Sequence, residues 1–175
     1  MDVEGETFFR EVFEAQYDYV HHSLRRLGVH ERDLEDLTHD VFIAVYQNLS
    51  RYDRARPLRP WLFAFAFRFA SDYRRLSRHK TELGGVRADD RADPSAPTAE
   101  EDVARREGAA LVARILDAMP LDQRAVFVLS EIDETPMKDI AASLDIPVNT
   151  AYSRLRLARE VFRSEAEKLT KGGAR

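Results

Sequence analysis

A gap in the hydrophobic pattern constrains this chain more than any motif in it. From Thr81 to Asp102 no apolar period survives, and Gly84-Gly85, Pro94 and Pro97 stand among Ser, Ala and Asp. Such a composition buries too little apolar surface to offset the entropy of ordering it. Residues 81–102 therefore read as a flexible linker, about 25 Å long as a coil and about 70 Å when stretched. The 175 residues then divide into two small units, over 1–80 and 103–175, rather than one core.

Both units read as helical. Phe9, Val12, Phe13, Tyr17, Val20, Leu24 and Leu27 recur at three and four, and Gly28 stops the run. A second helix starts near Asp33, with Leu34, Leu37, Val41, Val45 and Leu49 as its stripe. The alternation of Phe63, Phe65, Phe67 and Phe69 fits a strand by period two. Against a strand, their partners are mostly Ala, no turn signal follows through Leu76, and Pro60 suits a helix first turn. A helix from about Pro60 to Arg78 results. Its core face is Leu62, Phe65, Phe69, Tyr73 and Leu76, with Phe63, Phe67 and Arg74 roughly opposite and Trp61, Arg68 and Arg75 along another edge. It is apolar on more sides than a lone surface helix needs, so it is sandwiched or offers aromatics to a partner.

In the second unit, Val103–Met119 reads as a helix ended by Pro120, with Leu111, Ile115 and Leu116 inward. Asp122 caps the next helix, carrying Val126, Phe127, Leu129 and Ile132, and Thr135-Pro136 opens a helix from Met137 to Leu144. After the tight Asp145-Ile146-Pro147-Val148 connection, Asn149 or Thr150 caps a long helix reaching about Leu169. No segment settles as a strand, so the fold class is all-α.

Charge is partitioned sharply. Residues 1–50 hold four basic and eleven acidic side chains, residues 51–80 nine and two, and residues 147–175 seven and three. Two basic blocks in an acidic protein can meet a polyanion at two separate places; solvated helix faces give the same counts. Cysteine is absent, which removes disulfides, thiolate zinc sites and cysteine nucleophiles. His21, His22, His30, His39 and His79 form no ligand pattern, and the glycine pairs lack the context of a phosphate loop. No enzyme site, cofactor or small-molecule substrate is legible. The longest apolar run, Trp61 to Phe67, is too short to span a membrane, and a cytoplasmic setting fits.

Two constellations carry function. Ile140, Ala141, Leu144, Ile146 and Ala151 have helix-turn-helix spacing, with Asp145 at a corner that needs left-handed angles. The following helix presents Asn149, Thr150, Tyr152, Ser153, Arg154, Arg156 and Arg159, donors for phosphates and base edges in a major groove. A plain helical hairpin has the same periodicity. In the first unit, Arg51, Tyr52, Arg54, Arg56, Arg59, Trp61 and Arg68 interleave rings and guanidinium groups, a mixture suited to unpaired strands.

Together, Asp33-Leu34-Glu35-Asp36-Leu37-Thr38-His39-Asp40-Val41-Phe42, Trp61-Leu62-Phe63 and Asp72-Tyr73-Arg74-Arg75 resemble the core-binding and −10-melting domain of bacterial RNA polymerase sigma factors. Leu116-Asp117-Ala118-Met119-Pro120, Arg124-Ala125-Val126-Phe127, Asp139-Ile140-Ala141 and Asn149-Thr150-Ala151-Tyr152-Ser153-Arg154-Leu155 resemble the −35-binding domain. The short linker makes the chain similar to the extracytoplasmic-function group. The resemblance implies that Asp36, His39 and Asp40 dock on core RNA polymerase. It also implies that the Ser50–Arg59 loop holds an extruded −10 base, with Trp61, Arg68 and Arg75 along the single strand. The −35 duplex falls to the second domain, and an anti-sigma factor covers these surfaces. Three places depart from the family pattern: His39-Asp40 replaces a usual Gln-Glu, Arg68 a frequent Asn, and Leu157 a common Arg. A helix-turn-helix regulator with a helical sensing or dimerisation domain is the alternative. A basic segment at 51–80 lying on a membrane surface, without insertion, ranks behind both.

Overall fold

A computed structural model describes residues 3–82 and 100–172. It contains seven α-helices and, among the described residues, no strand: α1 (Val3–Arg26), α2 (Glu31–Asn48), α3 (Leu58–Glu82), α4 (Glu100–Asp117), α5 (Leu121–Phe127), α6 (Met137–Ser143) and α7 (Val148–Gly172). Helix α3 thus runs past Arg78 and α4 begins before Val103. The rest of the linker expectation, residues 83–99, lies outside the described residues. The chain forms two compact units, one built on α1–α3 and the other on α4, α5, α7 and Met137–Ala141 of α6. No described helix is long and apolar enough to cross a membrane.

In the first unit the three helices pack pairwise around Val20, Leu24, Leu27, Leu34, Val41, Phe42, Val45 and Leu62. Helix α1 ends where Gly28 takes a φ of 90°, letting Val29 N–H reach Leu24 O at 3.1 Å. That six-residue closure needs a left-handed residue, which glycine supplies without steric cost. The buried hydroxyls of Ser23 and Thr38 donate to carbonyls one turn back, Tyr19 O at 2.7 Å and Leu34 O at 2.6 Å.

The buried arc of α3 differs from its periodicity reading. Phe63, expected opposite the core, is fully buried with Leu62, Ala66 and Ala70, whereas Leu76 is 59% exposed. Both α1 and α2 pack on α3, so its apolar arc is wider than one stripe, and Phe63 turns into the second contact. Among residues 58–77, whose burial is described, the last buried one is Ala70, and Leu76 lies beyond it. Periodicity gives the direction of a side chain but not where its neighbours end.

The second unit is organised by prolines. The carbonyls of Pro120, Pro136 and Pro147 accept the first helical N–H of α5, α6 and α7, from Arg124 at 2.9 Å, Ile140 at 3.0 Å and Ala151 at 3.1 Å. Asp122, Thr135, Asn149 and Thr150 are therefore not the residues that open these helices. Pro120 sits at φ −54° and ψ 142°, and its fixed φ suits this half-in position while leaving its carbonyl free to accept. Over residues 108–117 of α4, whose burial is described, Ile115 is the first core residue, and Leu111, expected inward, is exposed. Arg124 is buried, and its Nη1 donates to Asp117 Oδ1 at 3.0 Å, tying α5 to the end of α4. Beyond α5 the backbone widens into a π-turn over Val128–Ile132, closed by Asp133 N–H to Val128 O at 3.0 Å.

Phe63→Ala is expected to cost about 3–5 kcal/mol, and half-buried Phe67→Ala clearly less, in denaturant unfolding of the full chain. Equal costs would restore the arc read from periodicity alone. A second test uses Tyr73 of α3, whose phenol donates to Asp33 Oδ2 of α2 at 2.6 Å. Burial, then this hydrogen bond and the Asp33 charge, pushes its pKa up to about 12. The folded-state value exceeds the ordinary value of about 10. The stability it contributes is therefore complete below about pH 10 and lost as pH rises through the folded value. Ultraviolet titration should show a tyrosine ionisation near pH 12 that Tyr73→Phe abolishes, and the stability gap between the two proteins should shrink over that range.

Candidate nucleic-acid interface

In the first unit a short 3-10 turn, Leu49–Arg51, leads from α2 into the loop that carries the arginines. Asp53 shapes this loop: its Oδ1 accepts Ala55 N–H at 2.9 Å and its carbonyl accepts Arg56 N–H at 2.9 Å. Tyr52 pins the far side by donating its hydroxyl to Arg56 O at 2.6 Å. Burial, with the Asp53 charge adding to it, raises the Tyr52 pKa above the ordinary phenol value, so it remains a neutral donor. Pro60, buried, lies in the first turn of α3.

These constraints assemble a ladder of rings and guanidinium groups. Arg54 lies over Phe8 at 4.3 Å, Phe8 is nearly parallel to Tyr52 at 6.3 Å, Tyr52 tilts against Trp61 at 4.7 Å, and Trp61 meets Phe65 edge-on at 5.0 Å. Arg68 closes the series 5.7 Å from the Phe65 centroid. Of the expected strand-binding residues, Tyr52, Arg54, Trp61 and Arg68 thus share one continuous surface. Arg59 turns to α1 instead, over Tyr19 at 5.1 Å and with its Nε donating to Gln16 Oε1 at 3.2 Å. Arg51 is exposed, Arg56 pairs loosely with Asp53 at 3.9 Å, and Arg75 pairs with Asp72 at 3.1 Å. Fourteen residues of helix put Arg75 about 21 Å along the axis from Trp61.

The outer face of α2 carries Asp36, His39 and Asp40, all exposed, and His39 Nδ1 lies 2.9 Å from Glu35 O. The same face continues through Ile43, 56% exposed, and Tyr46. Neither belongs to the sequence-based set Asp36, His39 and Asp40. Both lie off the 34–38–41–45 buried stripe at spacings of three from Asp40 and Ile43, which was the available signal.

Helices α6 and α7 form the expected helix-turn-helix. Asp145 stands at the corner with a φ of 52°, and Ile146 N–H closes back to Ala141 O at 3.0 Å. Ala151, Leu155 and Ala158 are the buried side of α7. Asn149, Tyr152, Ser153, Arg156 and Arg159 are exposed on its outer side, Tyr152 by 57%, and Thr150 is half-buried. Arg154 differs from them. Its side chain is 27% exposed and its Nε lies 3.1 Å from Asp122 Oδ2, so it braces α7 against α5. Arg156 pairs with Glu160 at 2.7 Å and Arg159 with Glu131 at 2.7 Å. These exposed pairs are weak and yield readily to a phosphate. An open concavity of about 530 Å³ lies beside them, lined by Ser130, Met137, Tyr152, Arg156, Arg159 and Arg163 among others. Among the described residues no three acidic or histidine side chains group so as to hold a metal ion.

The family model for Sigma-70 region 2 matches residues 12–79, and that for Sigma-70, region 4 matches residues 109–161. RNA polymerase sigma factor CnrH of Cupriavidus metallidurans is 31% identical over 146 residues, spanning 77% of this chain and 74% of that protein. The ECF RNA polymerase sigma factor SigW of Bacillus subtilis is 26% identical over 172 residues, 92% of this chain and 90% of its own. A co-crystal structure of the sigma factor RpoE with the anti-sigma factor NepR from Bartonella quintana covers 91% of this chain and 96% of the matched one. Its TM-score is 0.69 at 19% identity, a likeness of fold. The chain belongs to the sigma-70 family of RNA polymerase sigma factors, in its extracytoplasmic-function group.

Proposed function

We propose that this protein binds core RNA polymerase through the outer face of α2, reads two promoter elements with separate units, and catalyses no reaction itself. The observation that carries this reading is the chemical difference between two exposed faces. The ladder around Tyr52 and Trp61 offers ring faces and cations, which suit unstacked bases and a flexible backbone. The outer side of α7 offers short polar side chains and arginines on a helix, which suit intact duplex. Asp36, His39, Asp40, Ile43 and Tyr46 form the polymerase contact, an acidic stripe with an apolar end. Arg51, Tyr52, Arg54, Arg56, Arg59, Trp61, Arg68 and Arg75 take the −10 single strand. Asn149, Thr150, Tyr152, Ser153, Arg156 and Arg159 take the −35 duplex, with Arg154 holding α7 in place as well as offering its remaining donors. Residues 1–80, 81–102 and 103–175 are the −10 domain, its tether and the −35 domain. The setting is the cytoplasm. An anti-sigma factor, as NepR is for the Bartonella protein, would act by covering these faces.

Run-off transcription with purified core polymerase on genomic fragments tests the whole reading. Discrete transcripts are expected only when both proteins are present. Tight operator binding by a dimer without polymerase would favour the regulator alternative. Within an active promoter, Trp61→Ala should lower permanganate reactivity of the −10 thymines about tenfold, given the worth of one base stack. Arg156→Ala should weaken −35 duplex binding and leave opening of a preformed −10 bubble intact. Unchanged permanganate reactivity in Trp61→Ala would remove that residue from the melting surface.

A further inference from the structure

The ladder begins outside the part of the chain that the family model covers. Phe8 precedes the matched residues 12–79, yet it is the ring on which the loop rests. It is half-buried on α1, nearly parallel to Tyr52 with centroids 6.3 Å apart, and the Arg54 guanidinium lies 4.3 Å above its centroid. Phe65, the other ladder ring with an arginine beside it, is a buried core residue; Phe8 is only half-buried. The Phe8 ring has a face held by an exposed arginine with no carboxylate contact of its own in the loop, where Asp53 serves Arg56.

We propose that Phe8 is a base-stacking residue of the single-strand surface, and that Arg54 occupies its ring face until a nucleobase replaces it. The inference rests on the promoter-opening reading above and extends it to a residue of α1. An exposed cation–π contact is weaker than a base stacked on a ring, so the exchange is favourable. The displaced guanidinium remains one loop residue away from the strand and meets a phosphate, releasing a counterion. The same motion frees the Phe8 face at the end of the Phe8–Tyr52–Trp61 series, so that it receives a base that the loop alone would leave in water.

The test uses holoenzyme assembled from core polymerase and the full chain. The probes are non-template-strand oligonucleotides from a promoter found by run-off transcription, with 2-aminopurine at one position at a time. Wild-type holoenzyme is expected to quench 2-aminopurine at a position that Phe8→Leu no longer quenches, with affinity about tenfold lower. Phe8→Trp should restore both. Arg54→Ala should keep the quench while reducing the salt slope of binding by about one phosphate contact. Phe8→Leu with wild-type affinity and an unchanged quench pattern, at an unchanged unfolding midpoint, would overturn the assignment and leave Phe8 a packing residue. If Phe8→Leu unfolds the unit, a Phe8→Trp holoenzyme that neither stacks nor opens promoters would overturn it equally. Wild-type holoenzyme that transcribes while Phe8→Leu behaves identically refutes only the role of Phe8. Wild-type holoenzyme that neither transcribes nor quenches any position overturns the underlying reading along with it.

Discussion

Tyr52 joins three parts of the first unit with one side chain. Its ring lies between Phe8 of α1 and Trp61 of α3, and its hydroxyl holds the Arg56 carbonyl across the loop. The loop has few other internal contacts, chiefly the turn built on Asp53. The directions of Arg54 and Arg56 are therefore set by ring contacts, one side-chain hydrogen bond and the Asp53 turn rather than by regular secondary structure, whereas Trp61 is placed by α3. That economy fits a surface that must give way to a strand: the elements beneath it are rigid, and the contacts within it are individually weak.

The second unit meets a different demand. A helix entering a groove must be held from behind while its outer side stays polar. Ala151 and Ala158, fully buried, let α7 lie close to its neighbours, and Asp145 accepts the left-handed corner that joins it to α6. Three prolines define the starts of α5, α6 and α7 through their carbonyls, and Asp122 in the first turn of α5 accepts Gln123 N–H at 3.0 Å. Asn149 and Ser153 are exposed on α7. Arg154 marks the limit of this scheme, because its contact with Asp122 gives it a structural share in holding the helix.

Much of this was legible in residue order. The helical periods, the stop at Gly28, the corner at Asp145 and the small Ala151 all follow from local rules of backbone and spacing, and they appear where those rules put them. What escaped was set by tertiary contact. Phe63 is buried because a second helix covers its side of α3, and Leu76 is exposed because no helix does. Phe8 reaches Tyr52 across more than forty positions, and the Glu131–Arg159 pair spans 28 residues, distances at which no periodicity speaks. Ile43 and Tyr46 were hidden in another way: being apolar, they were counted toward no surface, although their phase on α2 excluded them from the core.

The central claim is that the two units grip DNA in different states, unpaired strand on the ladder and intact duplex on α7. Site-specific photocrosslinking in a promoter complex measures this directly, with benzoylphenylalanine placed at position 61 in one protein and at position 152 in another. Position 61 should crosslink to the non-template strand at the −10 element only after opening. Position 152 should crosslink to the −35 duplex both before and after. Crosslinks from position 61 to closed duplex, or from both positions to the same promoter element, would contradict that division.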